Sequence, residues 1–208
     1  FLILQMLGKG APRRVLLLAA SYFFYFELSH YYIVVLLAVT LIAWQGAILI
    51  RKQAGRAHPG WFFTVACAVL LTPLLAFKYI PPLLLAMRLQ TVPGLGIDLH
   101  SFLIPVGISF FSFAALGYLW DVYLEIADPE TRLDRVALFL AFFPVISAGP
   151  IERPQGLMPQ LDLDQSFSCE RGISALRAII LGLVMKVFIA DFLSVQVNFL
   201  YADPASFI

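Results

Sequence analysis

Two polar, turn-rich motifs interrupt the apolar sequence and carry the residues best suited to chemistry. The first is Ile104-Pro105-Val106-Gly107-Ile108-Ser109-Phe110-Phe111-Ser112-Phe113, continued by Asp121-Val122-Tyr123; the second is Phe142-Phe143-Pro144, continued by Ser147-Ala148-Gly149-Pro150-Ile151-Glu152-Arg153. Carboxylates accept hydrogen bonds or protons, and the Arg153 guanidinium could bind an anionic group through two parallel hydrogen bonds. A bilayer offers no water to broken or polar segments, so they persist only against protein or a wet cavity. The two motifs therefore predict a site or pathway inside a membrane protein.

Asp121 ends an apolar, aromatic stretch and allows two interpretations. It could be an acid at the membrane interface, or an acid that faces the interior of a helical bundle, where charges usually meet a partner or a cavity. In the second motif, Gly149 would let the backbone pass close to another element. The sequence leaves both interpretations of Asp121 open.

A second pair of charges, Lys186 and Asp191, lies in the apolar run Leu181–Val195. An α-helix advances about 100° per residue, so five residues separate the two side chains by roughly 140° around its axis. We therefore expect them to be poor partners for one another and to pair with other helices or with water. A bundle-stabilising ion pair is slightly favoured over a direct catalytic role.

The three histidines are His30, His58 and His100. Histidine is the usual proton shuttle near neutral pH, but these three fall in an expected turn, a basic loop and the approach to a span. Each is interpreted as a surface or interfacial residue. The sequence contains no GxSxG, HExxH or P-loop motif, and its two cysteines lack metal-binding spacing. We assign no catalytic residue and no metal site to this chain.

The composition places these motifs in a membrane. Of 208 residues, 61% are hydrophobic and 13% charged, and the mean hydropathy is +0.89, whereas soluble domains are about 45–50% apolar and about 25% charged. The predicted fold class is all-α, a polytopic transmembrane bundle with short, broken or re-entrant segments. The net charge of +1 gives no electrostatic case for nucleic acid.

The first two apolar runs are Val15–Phe26 and Tyr31–Ile50, separated by Glu27–His30. The second run is long enough to cross a bilayer, which takes about 20 residues, whereas the first is short. Basic residues flank the outer ends of both runs: Arg13, Arg14, Arg51, Lys52 and Arg56. The pattern predicts a helical hairpin, and the positive-inside tendency places its basic ends in the cytoplasm.

Two further spans are expected at Trp61–Ile80 and Phe102–Tyr123, the latter carrying the first motif. Pro81-Pro82 should stop the earlier helix, because proline lacks the amide donor and clashes with the preceding turn. Val136–Ile151 is apolar but short and contains Pro144 and Pro150, which favours a re-entrant or kinked segment.

The last part of the chain, Arg171–Tyr201, predicts a long amphipathic or tilted helix. The chain begins at Phe1 rather than Met, and Ala202–Ile208 reads as the middle of a loop. We therefore expect residues 1–208 to be the N-terminal part of a single transmembrane domain, truncated at both ends.

Five motifs in order resemble the membrane-bound O-acyltransferase (MBOAT) family, in particular its bacterial alginate O-acetyltransferase-like branch. They are Ile104–Phe113, Asp121-Val122-Tyr123, Phe142-Phe143-Pro144, Ala148–Arg153 and Gly182–Asp191. Ser112 and Ala114 stand where Thr and Gln are expected, and Met185 stands where Lys is common. The resemblance covers essentially the whole chain.

The resemblance implies an enzyme that transfers an acyl group, most simply acetyl, to hydroxyls of an exported or cell-envelope polysaccharide. The implied donor is acyl-CoA or an acyl carrier, used as substrate rather than as a bound cofactor. The implied partners are membrane lipid, the polysaccharide acceptor and a periplasmic partner acetyltransferase, and the implied location is the bacterial inner membrane. The family's histidine lies in a Trp-His segment that this chain does not contain, so the chain alone is expected to be inactive.

In that family a tunnel between helices surrounds the histidine. Residues at matching positions are therefore candidates for tunnel walls or supports: Ser109, Phe110, Phe113, Asp121, Glu152, Arg153, Lys186 and Asp191. Asp121 or Glu152 could orient the histidine. Two other classes stay open: a transporter or channel, which broken helices with intramembrane charges also suit, and a non-catalytic scaffold that holds a periplasmic partner.

Overall fold

The computed structural model describes residues 11–53, 59–87, 104–162 and 168–202, and every regular element in these ranges is helical. The all-α prediction is confirmed. The α-helices are α1 (Ala11–Ser29), α2 (Ile33–Lys52), α3 (Pro59–Ala86), α4 (Ile108–Tyr123), α5 (Leu133–Ala141), α6 (Phe143–Ile146), α7 (Pro154–Asp162), α8 (Cys169–Val184) and α9 (Asp191–Ala202). The chain divides into two compact units, residues 1–163 and 164–208, which are described separately.

Three described stretches are long and apolar enough to cross a membrane: Pro12–Lys52, Gly60–Ala86 and Cys169–Phe199. Helix α4 is apolar but shorter, with 16 residues, or about 24 Å at 1.5 Å per residue. The protein is therefore an integral membrane protein built from helices.

The stretch Pro12–Lys52 is a hairpin rather than one long helix. A 3₁₀ turn at His30–Tyr32 separates α1 from α2, and His30 has a φ of 31°, which an α-helix does not contain. Arg14 on α1 pairs with Asp134 (2.7 Å), and Arg51 on α2 pairs with Asp128 (3.4 Å). The short chain between these acids spans at most about 22 Å, so the basic ends of both helices lie on one side.

The predicted hairpin is thus confirmed, and its cytoplasmic orientation stays a prediction. At the opposite end, the Val106 amide donates to the Ser29 hydroxyl (3.2 Å), placing the start of α4 beside the end of α1. Helix α2 packs against α3 and α4. At Gly46 a Cβ would lie 3.3 Å from both Ala66 of α3 and Leu119 of α4, a close approach typical of membrane helices.

Charged residues tie α1 to the start of α5. The Arg14 side chain is only 6% exposed and donates to Asp134, which also accepts from Arg132. Burial raises the pKa of the Asp134 carboxyl, but the hydrogen bonds from Arg132 and Arg14 outweigh it and the net pKa is lowered.

Several details differ from the sequence predictions. Helix α3 continues through Pro81 and Pro82 to Ala86, so the expected stop was wrong. In apolar surroundings the backbone N–H and C=O groups find no water, and continuing the helix satisfies most of them. Helix α4 begins at Ile108, and Ile104 to Gly107 form no helix. The sequence also missed α7, which begins at Pro154, a residue that suits a first helical position.

The kinked segment predicted at Val136–Ile151 is confirmed. Helix α5 ends at Ala141, Phe142 adopts a ψ of 108°, and α6 resumes at Phe143 with Pro144 in its first turn. Phe142 carries the break because a residue with that ψ cannot continue the α-helix.

The second unit, taken by itself, is one nearly continuous helical rod in which a π-helical segment, Met185–Ala190, joins α8 to α9. The predicted long helix is confirmed. The Lys186 ammonium and Asp191 Oδ2 are 2.7 Å apart, so the expectation that these residues are poor partners was wrong. Hydrogen bonds of the i→i+5 type bring residues five apart to nearly the same face, whereas the prediction assumed a regular α-helix.

Candidate functional site

The two polar motifs lie against each other. Pro105 to Gly107 form a turn that leads into α4, and Gly107 has a φ of 74°. A Cβ on Gly107 would lie 2.2 Å from the Ile146 carbonyl oxygen, well inside contact distance. Only glycine fits both this backbone conformation and this approach. The turn of the first motif is therefore seated on the last residue of α6.

The expectation that Gly149 makes such an approach to another element is not met. A Cβ there would strike Val145, whose carbonyl also accepts from the Gly149 amide at 3.0 Å. Gly149 thus permits a tight turn with Val145, four residues earlier. The close approach between the two motifs is made by Gly107 instead. The Pro105-Val106-Gly107 pattern was the only sequence signal for the contact of Gly107 with Ile146.

Beside this contact lies a small, partly open pocket, here called the motif pocket, with a cavity volume of ≈ 20 Å³. Its lining comes from both motifs and from α5: Phe110, Phe111, Ala114, Phe139, Leu140, Val145, Ile146, Pro150, Ile151 and Glu152. Most of these side chains are apolar, and Glu152 is the ionisable one. A cavity of this volume has room for about one water molecule.

The motifs are also joined at the far end of α4. The Asp121 side chain is completely buried, and its Oδ1 accepts a hydrogen bond of 2.8 Å from Arg153 Nη1. The Asp121 carbonyl oxygen accepts from the amides of Ile126 and Ala127, which closes the helix end. Asp121 therefore faces the interior of the helix bundle, as the second interpretation predicted.

The Asp121–Arg153 pair is asymmetric. Asp121 Oδ2 is buried and has no hydrogen-bond partner among the described residues, whereas the Arg153 side chain is 65% exposed. A buried carboxylate is costly unless it is paired, so Arg153 is a structural necessity for Asp121. The exposed N–H groups of the Arg153 guanidinium that do not bond Asp121 can donate to water or to another group.

Glu152 differs from Asp121 in having no partner among the residues that the structure describes. Within the part of the chain that the structure describes, no donor lies within hydrogen-bonding distance of its half-buried carboxylate. Its Oε2 lies 3.8 Å from the place of a Cβ on Gly156, over the first turn of α7. The N-terminal end of a helix is a favourable place for a negative charge.

The other predicted site residues lie as follows. Phe110 lines the motif pocket, while Ser109 is half-buried and Phe113 is exposed, and neither lines that pocket. Lys186 and Asp191 pair within the second unit. Their roles as tunnel walls or supports stay predictions.

Of the histidines, His30 is exposed at the hairpin turn, and His58 and His100 lie outside the described residues. One further polar residue was not among the candidate site residues predicted from the sequence. Ser112 is completely buried, and its hydroxyl has no partner among the described residues.

The chain is similar in sequence to several alginate and peptidoglycan O-acetyltransferases. It is 33% identical over 100 residues to the probable alginate O-acetylase AlgI of Pseudomonas putida, covering 48% of this chain and 20% of that protein. The match to the same-named protein of Azotobacter vinelandii is 32% over 106 residues, or 50% of this chain and 21% of that protein. The peptidoglycan O-acetyltransferase of Helicobacter pylori is 33% identical over 116 residues, covering 43% and 22%.

These matches span about a fifth of the length of the curated relatives. No family model and no solved structure matches the chain. The relatives and the five ordered motifs agree, and this chain is thus related to the membrane-bound O-acyltransferases of the alginate O-acetylase type.

Proposed function

We propose that this chain is part of a membrane O-acyltransferase that transfers an acyl group, most simply acetyl, to hydroxyls of a cell-envelope or exported polysaccharide. The single observation that carries the proposal is the similarity to alginate and peptidoglycan O-acetyltransferases. The donor is an acyl-CoA or acyl carrier, and the complete protein lies in the bacterial inner membrane. A periplasmic partner acetyltransferase is a natural further component.

The geometry supports this proposal in two ways. The motifs that carry the resemblance meet in space, through Gly107 and Ile146 at one end and Asp121 and Arg153 at the other. They also line a small apolar cavity beside Glu152, whose carboxylate has no partner among the described residues.

The proposal assigns no catalytic base to this chain. Asp121 is engaged by Arg153 and is closed off from solvent, which suits a support better than a proton acceptor. Transport and scaffolding remain rival classes. The break between α5 and α6 at Phe142 would suit transport. The named activities of the relatives favour acyl transfer.

The test uses the complete protein produced from its gene, purified in lipid nanodiscs, with radiolabelled acetyl donor. Alginate oligosaccharide and a peptidoglycan glycan fragment serve as acceptors. We expect label in one acceptor, and none with the 208-residue chain alone. Absence of transfer from the complete protein to either acceptor would overturn the proposal, and transfer by the isolated chain would place the base within it.

A further inference from the structure

The stretch Cys169–Phe199 of the second unit is long and apolar enough to cross a membrane, yet it carries an ion pair near its middle. Its midpoint is Val184, and Lys186 lies about 3 Å and Asp191 about 10 Å from that point along the axis, at 1.5 Å per residue. The hydrocarbon core extends about 15 Å to either side of the centre of a bilayer. A span centred on this stretch therefore holds both charges at a depth where lipid offers no water.

The polar residues of this rod share one side with its smallest residues. This side, here called the polar face, consists of Ala178, Gly182, Lys186, Asp191, Ser194 and Asn198. Successive members are three or four residues apart, the spacing that keeps side chains on one side of an α-helix. The exception is the step of five from Lys186 to Asp191, which crosses the π-helical segment. That segment therefore keeps the polar residues of α9 in line with the small residues of α8.

The opposite side of the rod is apolar and suits lipid. It carries Ile180, Phe188 and Phe192, all of them exposed when the second unit is taken by itself. Arg177 also lies off the polar face, nearer the N-terminal end of the span. Its long side chain leans towards that end and can reach the membrane interface. Lipid can thus cover this side of the helix, and the polar face needs a different environment.

The ion pair by itself does not satisfy the polar face. Among the described residues the Lys186 ammonium makes one hydrogen bond, to Asp191 Oδ2 at 2.7 Å. Two ammonium N–H groups and Asp191 Oδ1 remain, and facing hydrocarbon they would be costly. They require protein or a wet cavity. The small pair Ala178 and Gly182, four residues apart, favours protein, because small residues at this spacing let a second helix approach closely.

The charges restrict which helix can cover the polar face. Lys186 and Asp191 neutralise each other, so a further charged side chain opposite them would be left without a partner of its own. A hydroxyl or amide side chain can accept from Lys186 and donate to Asp191. A second copy of this helix fits poorly. Copies in one membrane share their orientation, so a twofold contact would place Lys186 against Lys186 and Asp191 against Asp191.

We propose that the polar face is the docking surface for another transmembrane helix of the same protein. That helix approaches most closely at Gly182 and presents a neutral hydroxyl or amide side chain to the Lys186–Asp191 pair. The π-helical segment creates the surface, since a regular α-helix would place Lys186 and Asp191 about 140° apart. The inference concerns assembly of the protein rather than acyl transfer, so its test needs no turnover.

The test measures what surrounds each side of the helix in the complete protein, reconstituted in lipid nanodiscs. Its native cysteines are replaced, including Cys67→Ala and Cys169→Ser. A nitroxide spin label is then attached to Ala178→Cys on the polar face or to Ile180→Cys on the apolar side at nearly the same depth. Collisions are measured with oxygen, which concentrates in lipid, and with a nickel chelate, which stays in water. We expect several-fold fewer oxygen collisions at 178 than at 180, and few nickel collisions at either.

A second measurement avoids the bulky label. Gly182→Leu should lower the melting temperature by several degrees, because leucine holds the docked helix away. Val184→Leu enlarges a side chain off the polar face and should leave the melting temperature unchanged. A Cβ on Gly182 meets no atom of the described residues within 4 Å. If the polar face met only lipid, leucine would therefore fit at 182 and would raise stability through its better helix propensity.

Four results would overturn the inference. Frequent oxygen collisions at both labelled positions would show lipid on the polar face, and frequent nickel collisions at 178 alone would show a wet cavity. Dipolar broadening between labels at 178 on two molecules would identify a second copy as the occupant. An unchanged or raised melting temperature for Gly182→Leu would exclude a closely packed helix.

The neutral character of the partner is tested separately. The double exchange Lys186→Asp with Asp191→Lys keeps the pair neutral overall but reverses its direction. A hydroxyl or amide partner serves either direction, since it both donates and accepts, so the label at 178 should stay shielded from oxygen. Loss of that shielding in the exchanged protein would show that the partner helix carries a charge and would overturn this part of the inference.

Discussion

Arg153 Nη1 donates a 2.8 Å hydrogen bond to Asp121 Oδ1 across 32 residues of sequence, and this contact joins the second motif to the end of α4. The acid is completely buried, while the arginine is largely exposed. The pair therefore works as an anchor: Arg153 neutralises an acid that cannot reach water, and the backbone of the second motif is held in place as a result.

Replacing Arg153 alone should lower the free energy of unfolding more than replacing both Arg153 and Asp121. Arg153→Ala leaves a buried carboxylate without compensation, and we expect a loss of about 2–3 kcal/mol in unfolding free energy, reduced from a fully buried pair because Arg153 is exposed. Adding Asp121→Asn to that variant should recover part of the loss. Unfolding in detergent measures both, with Lys52→Ala as an exposed control. Equal instability of the single and double variants would contradict the anchor role.

Gly107 should not tolerate a side chain. Gly107→Ala must adopt a φ near 74° and press a methyl group on the Ile146 carbonyl, so we expect a loss of about 2 kcal/mol or more. Gly117→Ala is the matched control, because a Cβ there meets nothing within 4 Å and alanine favours a helix by about 1 kcal/mol over glycine. The two variants should shift the melting temperature in opposite directions. An unchanged melting temperature for Gly107→Ala would show that the contact between Gly107 and the Ile146 carbonyl is not close.

Acid should weaken the contact between α1 and α5. The pKa of Asp134 is lowered in the folded protein, so its contribution to stability is fully present above the ordinary value of 3.8 and is lost as the pH falls through the lower folded value. Melting temperature against pH should therefore fall more steeply below about pH 4 in the parent than in Asp134→Asn. If the melting temperatures of the two proteins fall equally with pH below about pH 4, Asp134 does not have this role.

Exchange of the two charges in the second unit should be tolerated. Lys186→Asp or Asp191→Lys alone places like charges at the 2.7 Å contact and should reduce the yield of membrane-inserted, folded protein. The double exchange restores opposite charges across the π segment and should recover most of that yield. A double variant as poor as either single one would mean that the residues act separately.

Sequence reasoning predicted the helical membrane fold, the hairpin of α1 and α2, and the break near Pro144, because each depends on local apolar length or on proline chemistry. It did not predict that Gly107 meets Ile146 or that Arg153 pairs with Asp121. Such contacts join residues more than thirty positions apart, and no periodicity encodes them. The Lys186–Asp191 pair was missed for a different reason: its geometry depends on a local change of helix type that composition does not reveal.

The same lesson separates the two acids of the candidate site. From sequence, Asp121 and Glu152 were equivalent candidates to support a catalytic group. Burial and pairing distinguish them, since Asp121 is enclosed and bonded whereas Glu152 opens on the motif pocket. That distinction requires the tertiary structure, because both residues sit in similarly polar, turn-rich sequence.

The chain between Ile146 and Arg153 is held at its two ends, by the Gly107 turn and by Asp121. A segment fixed at both ends has little freedom left to lose when something enters beside it, so occupancy of the pocket should carry a small entropic penalty.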